Sequence, residues 1–304
     1  MLHRNKWLTR RAASIRYRTA ARVARCLPAR RAHLTIIVRP PPAADGRETR
    51  VRSRQNSGGR VSQVQVSQPD VRNRLLAALP PGDFALLAPS LRPVDLALRQ
   101  VLHAPDQPIA AAYFPEAGMV SMIAALEDGA LQEVGLVGRE GVVGLAVVLG
   151  ADSSPLEALV QAPGPALCVP AAALVAAFER SATLRGVLLR HMQAFHLQVT
   201  RTAACNGRHP LEERLARWLL MAHDRAGGDR FPMTQEFIAM MLGVRRAGVS
   251  VAAGILQKAG VIGYARGCVT VLDRPGLEAA SCGCYRAVRE QAERLLGGGV
   301  VAAR

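Results

Sequence analysis

No stretch of this 304-residue chain approaches the ~18 consecutive apolar residues of a membrane span, although half its residues are apolar. A membrane-spanning helix is therefore excluded as the basis of function. The chain also lacks a G-x-S-x-G elbow, an H-E-x-x-H helix and a phosphate-cradling glycine loop. A hydrolase needs a nucleophile, a base and an orienting acid, and no such set is present. No catalytic residue is assigned, and the chain reads as a non-enzyme. Cysteines are few and scattered, at 26, 168, 205, 268, 282 and 284, without the apolar core of a secretory leader. They read as reduced thiols of a cytoplasmic protein rather than a disulfide framework. Lysine is nearly missing, with 2 Lys against 37 Arg. That bias, beside abundant Ala, Gly and Pro, is what GC-rich coding produces.

What is present begins with charge. The formal net charge of +16 suggests nucleic acid, but it is unevenly placed. Residues 1–68 hold 16 Lys/Arg against Asp45 and Glu48, whereas residues 69–304 hold 23 against 21 acids. The excess belongs to the leading stretch, where Pro40-Pro41-Pro42 and Ser57-Gly58-Gly59 interrupt any periodicity. It reads as a disordered extension: one irrelevant to the working protein, or a non-specific polyanion-binding tail.

Order is expected from about Asp70. "DVRNRLLAAL" and "GDFALLAPSL" read as short helices capped by Asp70 and Asp83. From Val94 to Pro170, apolar runs such as "LALRQVL", "AAAYF", "MVSMIAAL" and "LQEVGLV" alternate with "PEAG", "EDG" and "GREG". That is turn chemistry for a compact antiparallel β unit over 69–181. A long helix over 182–207 follows, in which Leu188, Met192, Phe195 and Val199 alternate spacings of four and three. This is the a/d seam of a two-helix coiled coil and predicts a homodimer, the alternative being a helix lying on its own β unit. "PLEERLARWLLMAHDR" reads as a further helix, started by Pro210 and with acids and Arg225 at the ends its dipole favours.

The stretch "MTQEFIAMMLGVRRAGVSVAAGILQKAGVI" carries the functional signal. Thr234 caps a helix over 235–242, Gly243 supplies a left-handed turn, and a second helix runs over 245–258. Ala239 is small where the two helices approach. Ile238, Leu242, Val244 and Val249 are apolar where they face a shared core. This pattern predicts a helix-turn-helix that leaves Arg245, Arg246, Gly248 and Ser250 outward at the start of the second helix. Two arginines there serve phosphate neutralisation and bidentate bonding to guanine. "VIGY" and "CVTVL" flank "ARG", a hairpin that sets Arg266 beside the DNA backbone and completes a winged helix within 208–276. A C-terminal helix and tail occupy 277–304.

With these motifs the chain resembles the Crp/Fnr (cyclic-AMP-receptor-like) family of transcription regulators over roughly 70–285. The resemblance implies an α+β fold: an N-terminal β-roll (a cyclic-nucleotide-binding-like jelly roll), a long dimerisation helix and a C-terminal winged helix-turn-helix. It implies that paired subunits read a near-palindromic operator in double-stranded DNA, with RNA polymerase as partner if the protein activates. Thr234 and Gln235 would contact phosphates, and Arg246 takes the place of the main base-reading arginine. The family's acidic residue after that arginine, and its basic residue one turn later, are here Ala247 and Val251. A different operator follows. In the region matching the family's Gly-Glu pair and phosphate-binding Arg, "GREGVVGLAVVLGADSSPLEALV", Glu140 precedes the turn, Gly144 is followed by Leu145, and no Arg lies between Gly144 and Val160. Burying a phosphate without a cation is costly, so cyclic AMP and GMP are not expected as effectors, and an unidentified small molecule takes that role if any does. No cofactor is assigned, and no metal ligand set: Cys282-Gly-Cys284 is too tight for a C-x2–4-C knuckle, and only Cys26 lies early enough for an iron–sulfur cluster. Two alternatives stay open. One is a thiol-based redox regulator using Cys268, Cys282 and Cys284; the other is a non-enzymatic sensor acting through a protein partner.

Overall fold

The computed structural model describes residues 66–297. The basic extension lies outside it except for residues 66–68, and Cys26 lies outside it too. The fold is mixed, with strands grouped before the long helices. Helices α1 (Arg74–Ala77) and α2 (Pro81–Leu87) lead into seven strands. These are β1 (Arg92–Leu96), β2 (Val101–His103), β3 (Ala111–Pro115), β4 (Met119–Ala125), β5 (Leu131–Val137), β6 (Leu156–Ala162) and β7 (Gly164–Pro170). They form two antiparallel sheets ordered β1-β7-β3 and β2-β6-β4-β5, whose non-sequential neighbours give the jelly-roll character. The expected run "LALRQVL" is split by a turn between β1 and β2. Asp70 and Asp83 cap neither helix. Asn73 caps α1 by accepting from the Leu75 and Leu76 amides, and Asp83 instead accepts from Ser181 Oγ at 2.6 Å.

Helices α3 (Ala171–Arg180), α4 (Ala182–Arg208) and α5 (Leu211–Ala226) follow. Then come β8 (Arg230–Pro232), α6 (Gln235–Leu242), α7 (Arg246–Lys258), β9 (Ile262–Ala265), β10 (Cys268–Val271), α8 (Arg274–Ala280) and α9 (Cys284–Leu296). Among the described residues, no single helix is long and apolar enough to cross a membrane.

Of the α4 residues expected to meet a second subunit, Leu188 is buried against its own β-roll, whereas Met192, Phe195 and Val199 touch the β-roll and stay half-buried. Leu188 is wholly buried with Leu174, Leu184 and Phe114. Phe195 packs on the β-roll interior, and its ring fills the space above Gly135, where a Cβ would lie 2.7 Å from it. Val199 borders the same glycine, and Met192 lines a cavity in the β-roll. A stripe at coiled-coil spacing records only that one helix face is buried.

What positions the C-terminal half is its contact with β4 and β5. Met119, Ile123 and Leu136 share one apolar core with Trp218, Leu219, Ile238, Met241 and Leu242. Within this junction Glu133 is buried, accepting from Trp218 Nε1 at 2.7 Å. Ser121 Oγ lies 2.7 Å from both Glu133 Oε2 and Gln161 Oε1. A hydroxyl has one proton for those two acceptors, so a proton on the carboxyl completes the chain of bonds. Burial pushes the Glu133 carboxyl up to about 7, against the lowering effect of the Ser121 and Trp218 hydrogen bonds and of Arg217 and Arg225. The folded state therefore holds a proton that the unfolded chain releases above its ordinary carboxyl value. Stability is lost as pH rises from about 4.5 to 7, with a limiting slope of about 1.4 kcal/mol per pH unit. Glu133→Gln, which mimics the protonated side chain, removes this slope. Urea unfolding at a series of pH values should show the variant gaining on the wild type across that window and then running parallel. Curves parallel throughout would refute the assignment.

A second ion-paired contact joins the same two parts. Arg225, near the end of α5, reaches Glu140 on the loop after β5, with Nη2 at 2.6 Å and Nε at 2.8 Å from Oε1. Its Nη1 also donates to the Met221 carbonyl at 2.7 Å. Glu140 further accepts from the Gly138 amide. Burial alone would raise the Glu140 carboxyl, but Arg225 and the hydrogen bonds hold it below the ordinary carboxylate value.

Candidate nucleic-acid interface

The turn between α6 and α7 follows from its sequence. Thr234 Oγ1 accepts from the Phe237 amide and caps α6. Gly243 adopts φ +62°, and the Val244 amide reaches back to the Ala239 carbonyl at 3.0 Å, closing the helix end. Ala239 is buried at the close approach of the helices, with Ile238, Leu242 and Val249 beside it. The chain bends by 104° from α6 to α7, within the range of a helix-turn-helix.

Gly243 is also pinned from outside. Gln132 on β5 donates through Nε2 to the Met241 carbonyl at 2.8 Å, and its Oε1 occupies the place a Cβ on Gly243 would take. Arg214 Nη2 donates to the Leu242 carbonyl from the other side. Gly243→Ala is expected to cost at least about 1 kcal/mol from the left-handed backbone alone. Expelling Gln132 adds to that. Combining it with Gln132→Ala should return the second part only, as read from denaturation midpoints. Equal losses with and without Gln132 would contradict the packing described.

The outward face starts at α7. α7 starts at Arg246, one position later than expected, so Arg245 occupies the N-cap position and is exposed. Arg246 is exposed and pairs with Glu236 on α6 at 2.9 Å. An exposed pair of this kind is worth at most about 1 kcal/mol, so exchanging Glu236 for a nucleic-acid acceptor is easy. Ser250 Oγ donates to Gln235 Oε1 at 2.7 Å, linking the two helices on the same face. Gly248 departs from expectation. It faces Leu211 at the start of α5, whose Cδ2 would be 3.0 Å from a Cβ there, so it serves helix packing rather than the outer surface.

The wing is a three-stranded sheet ordered β8-β10-β9, one strand more than the sequence signals gave. β9 and β10 join through Arg266-Gly267, both at positive φ (53° and 76°), the two-residue turn that suits strand twist. Arg266 is exposed at its tip, and Gly267 abuts Thr234. Thr234, Gln235, Arg245, Arg246, Ser250 and Arg266 thus belong to one connected region. Val251, already singled out in the sequence, and Ile255, which was not, lie further along α7. They are 67% and 47% exposed and lie one helical turn apart on α7.

The β-roll contains a cavity of about 140 Å³ lined mainly by Ile109, Met122, Val137, Val143, Met192 and Phe195. Its polar lining groups are His103, Ser154 and His191, and no Arg or Lys lines it among the described residues. Burial pushes His191 down to about 4, matching its Nε2, which accepts from the Val142 amide as a neutral ring must. Glu140, the first acid of the expected nucleotide-binding region, is committed to Arg225.

The thiols group differently from expectation. Cys168, Cys205, Cys282 and Cys284 are free, and Cys282 and Cys284 are joined by Cys205 and His209. Cys268, on β10, is outside that group. The sequence assigned no metal-ligand set, and Cys205, His209, Cys282 and Cys284 are a grouping able to hold an ion. The missed signal was Cys205-x3-His209, one helical turn apart at the end of α4 and far in sequence from its complement.

A family model, the Crp-like helix-turn-helix domain, matches residues 213–280. No curated protein matches the chain. Among solved structures, FixK2 from Bradyrhizobium japonicum is similar with a TM-score of 0.56 at 20% identity, covering 63% of this chain and 98% of that one. The CRP-family transcriptional regulator TTHB099 from Thermus thermophilus gives 0.53 at 20% identity, over 62% and 96%. The c-di-GMP-responsive global regulator CLP from Xanthomonas campestris gives 0.52 at 16% identity, over 63% and 99%. Residues 213–280 thus match a Crp-like helix-turn-helix domain, and the chain as a whole shares the fold of the Crp/Fnr-family structures.

Proposed function

We propose that the chain is a homodimeric, sequence-specific DNA-binding regulator whose β-roll responds to a ligand other than a cyclic nucleotide. The observation that carries the reading is the outward face of α7, where Arg245 and Arg246 stand beside bare Val251 and Ile255. Arginine suits the guanine edge, and exposed apolar side chains suit the thymine methyl, so the half-site combines both bases. Thr234 and Gln235 at the start of α6, and Arg266 on the wing, suit phosphates on either side.

Pairing of subunits is assigned to the outer face of α4, where Leu189, Gln193, His196 and Thr200 are exposed at spacings of four, three and four. Leu189 is 45% exposed, which a partner helix would cover. The non-nucleotide ligand is supported by the cavity's missing cation and small volume; drug-sized sites run to about 300 Å³ or more. Selection from a random duplex library tests the function. Near-palindromic sites with G and T in each half support it, and failure to enrich any sequence overturns it. Calorimetry with cyclic AMP should give no heat of binding at micromolar concentration; a saturable heat refutes the ligand part alone.

A further inference from the structure

Four chemistry-bearing side chains meet where α4 ends and α5 begins, away from the α7 face and the β-roll cavity. Cys205 is in the last turn of α4, and His209 is the next residue beyond the helix. Cys282 and Cys284 flank Gly283 between α8 and α9. The four ligand atoms lie within 4.8 Å of one another. Cys205 Sγ is 3.4 Å from Cys282 Sγ, and Cys284 Sγ is 3.7 Å from His209 Nδ1. Zinc–sulfur bonds of about 2.3 Å and zinc–nitrogen bonds of about 2.0 Å put tetrahedral ligand atoms about 3.5–3.8 Å apart. The two measured edges fall at that scale without rearrangement.

The surroundings are not those of thiols used as packing. Cys205, Cys282 and Cys284 form a small buried cluster separate from the three apolar cores. Beside them Arg217 is 2% exposed, and its Nε has no hydrogen-bond partner among the described residues. Its Nη2 reaches Thr202 Oγ1 and its Nη1 the Met221 sulfur, and no carboxylate lies within ion-pair distance of it among the described residues. A buried guanidinium without a counter-charge is costly. A divalent ion held by three thiolates and a neutral imidazole carries net charge of about −1, which Arg217 balances.

We propose that Cys205, His209, Cys282 and Cys284 form a structural site for a thiophilic divalent ion of the zinc class. Four protein ligands leave no open position, so the ion holds structure and does not catalyse. It fastens the α8–α9 turn to the end of α4. From there α9 runs back along α4 until Leu296 reaches the core around Leu184 and Leu188. Binding releases the thiol protons to solvent and leaves the imidazole neutral. This inference rests on the fold and is independent of the DNA reading.

The test is metal analysis of the full chain, purified under reducing conditions without an affinity histidine tag, with zinc as the probe. The wild type and a Cys168→Ser control are expected to retain about one zinc per chain through gel filtration. Cys282→Ser and His209→Asn should lose it. Cobalt added to the metal-stripped wild type should give the thiolate charge-transfer absorption and intense visible bands of a tetrahedral site. Should a variant fail to fold, the cobalt titration of the wild type decides. A folded wild type without zinc and without a cobalt spectrum overturns the proposal. So does a Cys205–Cys282 disulfide in the peptide map of the reduced preparation.

Discussion

Arg246→Ala should weaken binding to the selected operator by about 10- to 100-fold, the size of one bidentate arginine–guanine contact. The loss should be specific. Duplexes altered at the guanine that Arg246 reads should bind wild type and variant almost equally, because the contact is already absent. Arg245→Ala should behave differently. Just before the first turn of α7, beside the phosphate track, it should weaken all duplexes alike and lower the salt dependence by about one counterion. Glu236→Gln gives a third arm. It frees Arg246 from a pair 2.9 Å long that must break on binding, so affinity should rise slightly. Fluorescence anisotropy at several salt concentrations separates the three. Equal affinities for wild type and Arg246→Ala on every duplex would remove α7 from the reading role.

Arg225→Leu should destabilise the folded chain by about 3–5 kcal/mol, as expected when one partner of a buried ion pair is removed. Glu140 would lose both its short contacts to Arg225 and keep a buried carboxyl with only the more distant charge of Arg74 nearby. The Met221 carbonyl would lose its donor as well. Adding Glu140→Leu should recover part of the loss, because two apolar side chains then replace the pair. Urea midpoints of the four proteins in this cycle give the coupling directly. A single-variant loss below about 1 kcal/mol would mean that the junction is held by its apolar core alone.

The parts legible in sequence were those with local causes. Thr234, Gly243 and Ala239 dictate the helix-turn-helix through a cap, a left-handed residue and a close approach, and none needs distant partners. The wing hairpin was readable for the same reason, whereas β8 was missed because three residues carry too little pattern. In the β-roll, β4 is buried on both sides. Val120 and Met122 face the interior while Met119 and Ile123 face the helix-turn-helix, so alternation disappears from its sequence. The direction in which α4 faces was not readable. Leu188, Met192, Phe195 and Val199 form a correct apolar stripe, but a stripe is the same whether a neighbouring β-roll or a second subunit covers it. Gly248 was placed outward on helix phase alone, and only the position of Leu211 shows which side it faces. The cysteine site was hidden because its two halves are 73 residues apart at their nearest, His209 to Cys282.

In the proposed dimer, two subunits present paired α7 helices to successive major grooves. Hydroxyl-radical footprinting of the selected operator measures this directly. The account predicts two protected patches related by two-fold symmetry, with centres about 10 base pairs apart. Protection without sequence preference, or a single patch with no symmetric mate, would contradict it.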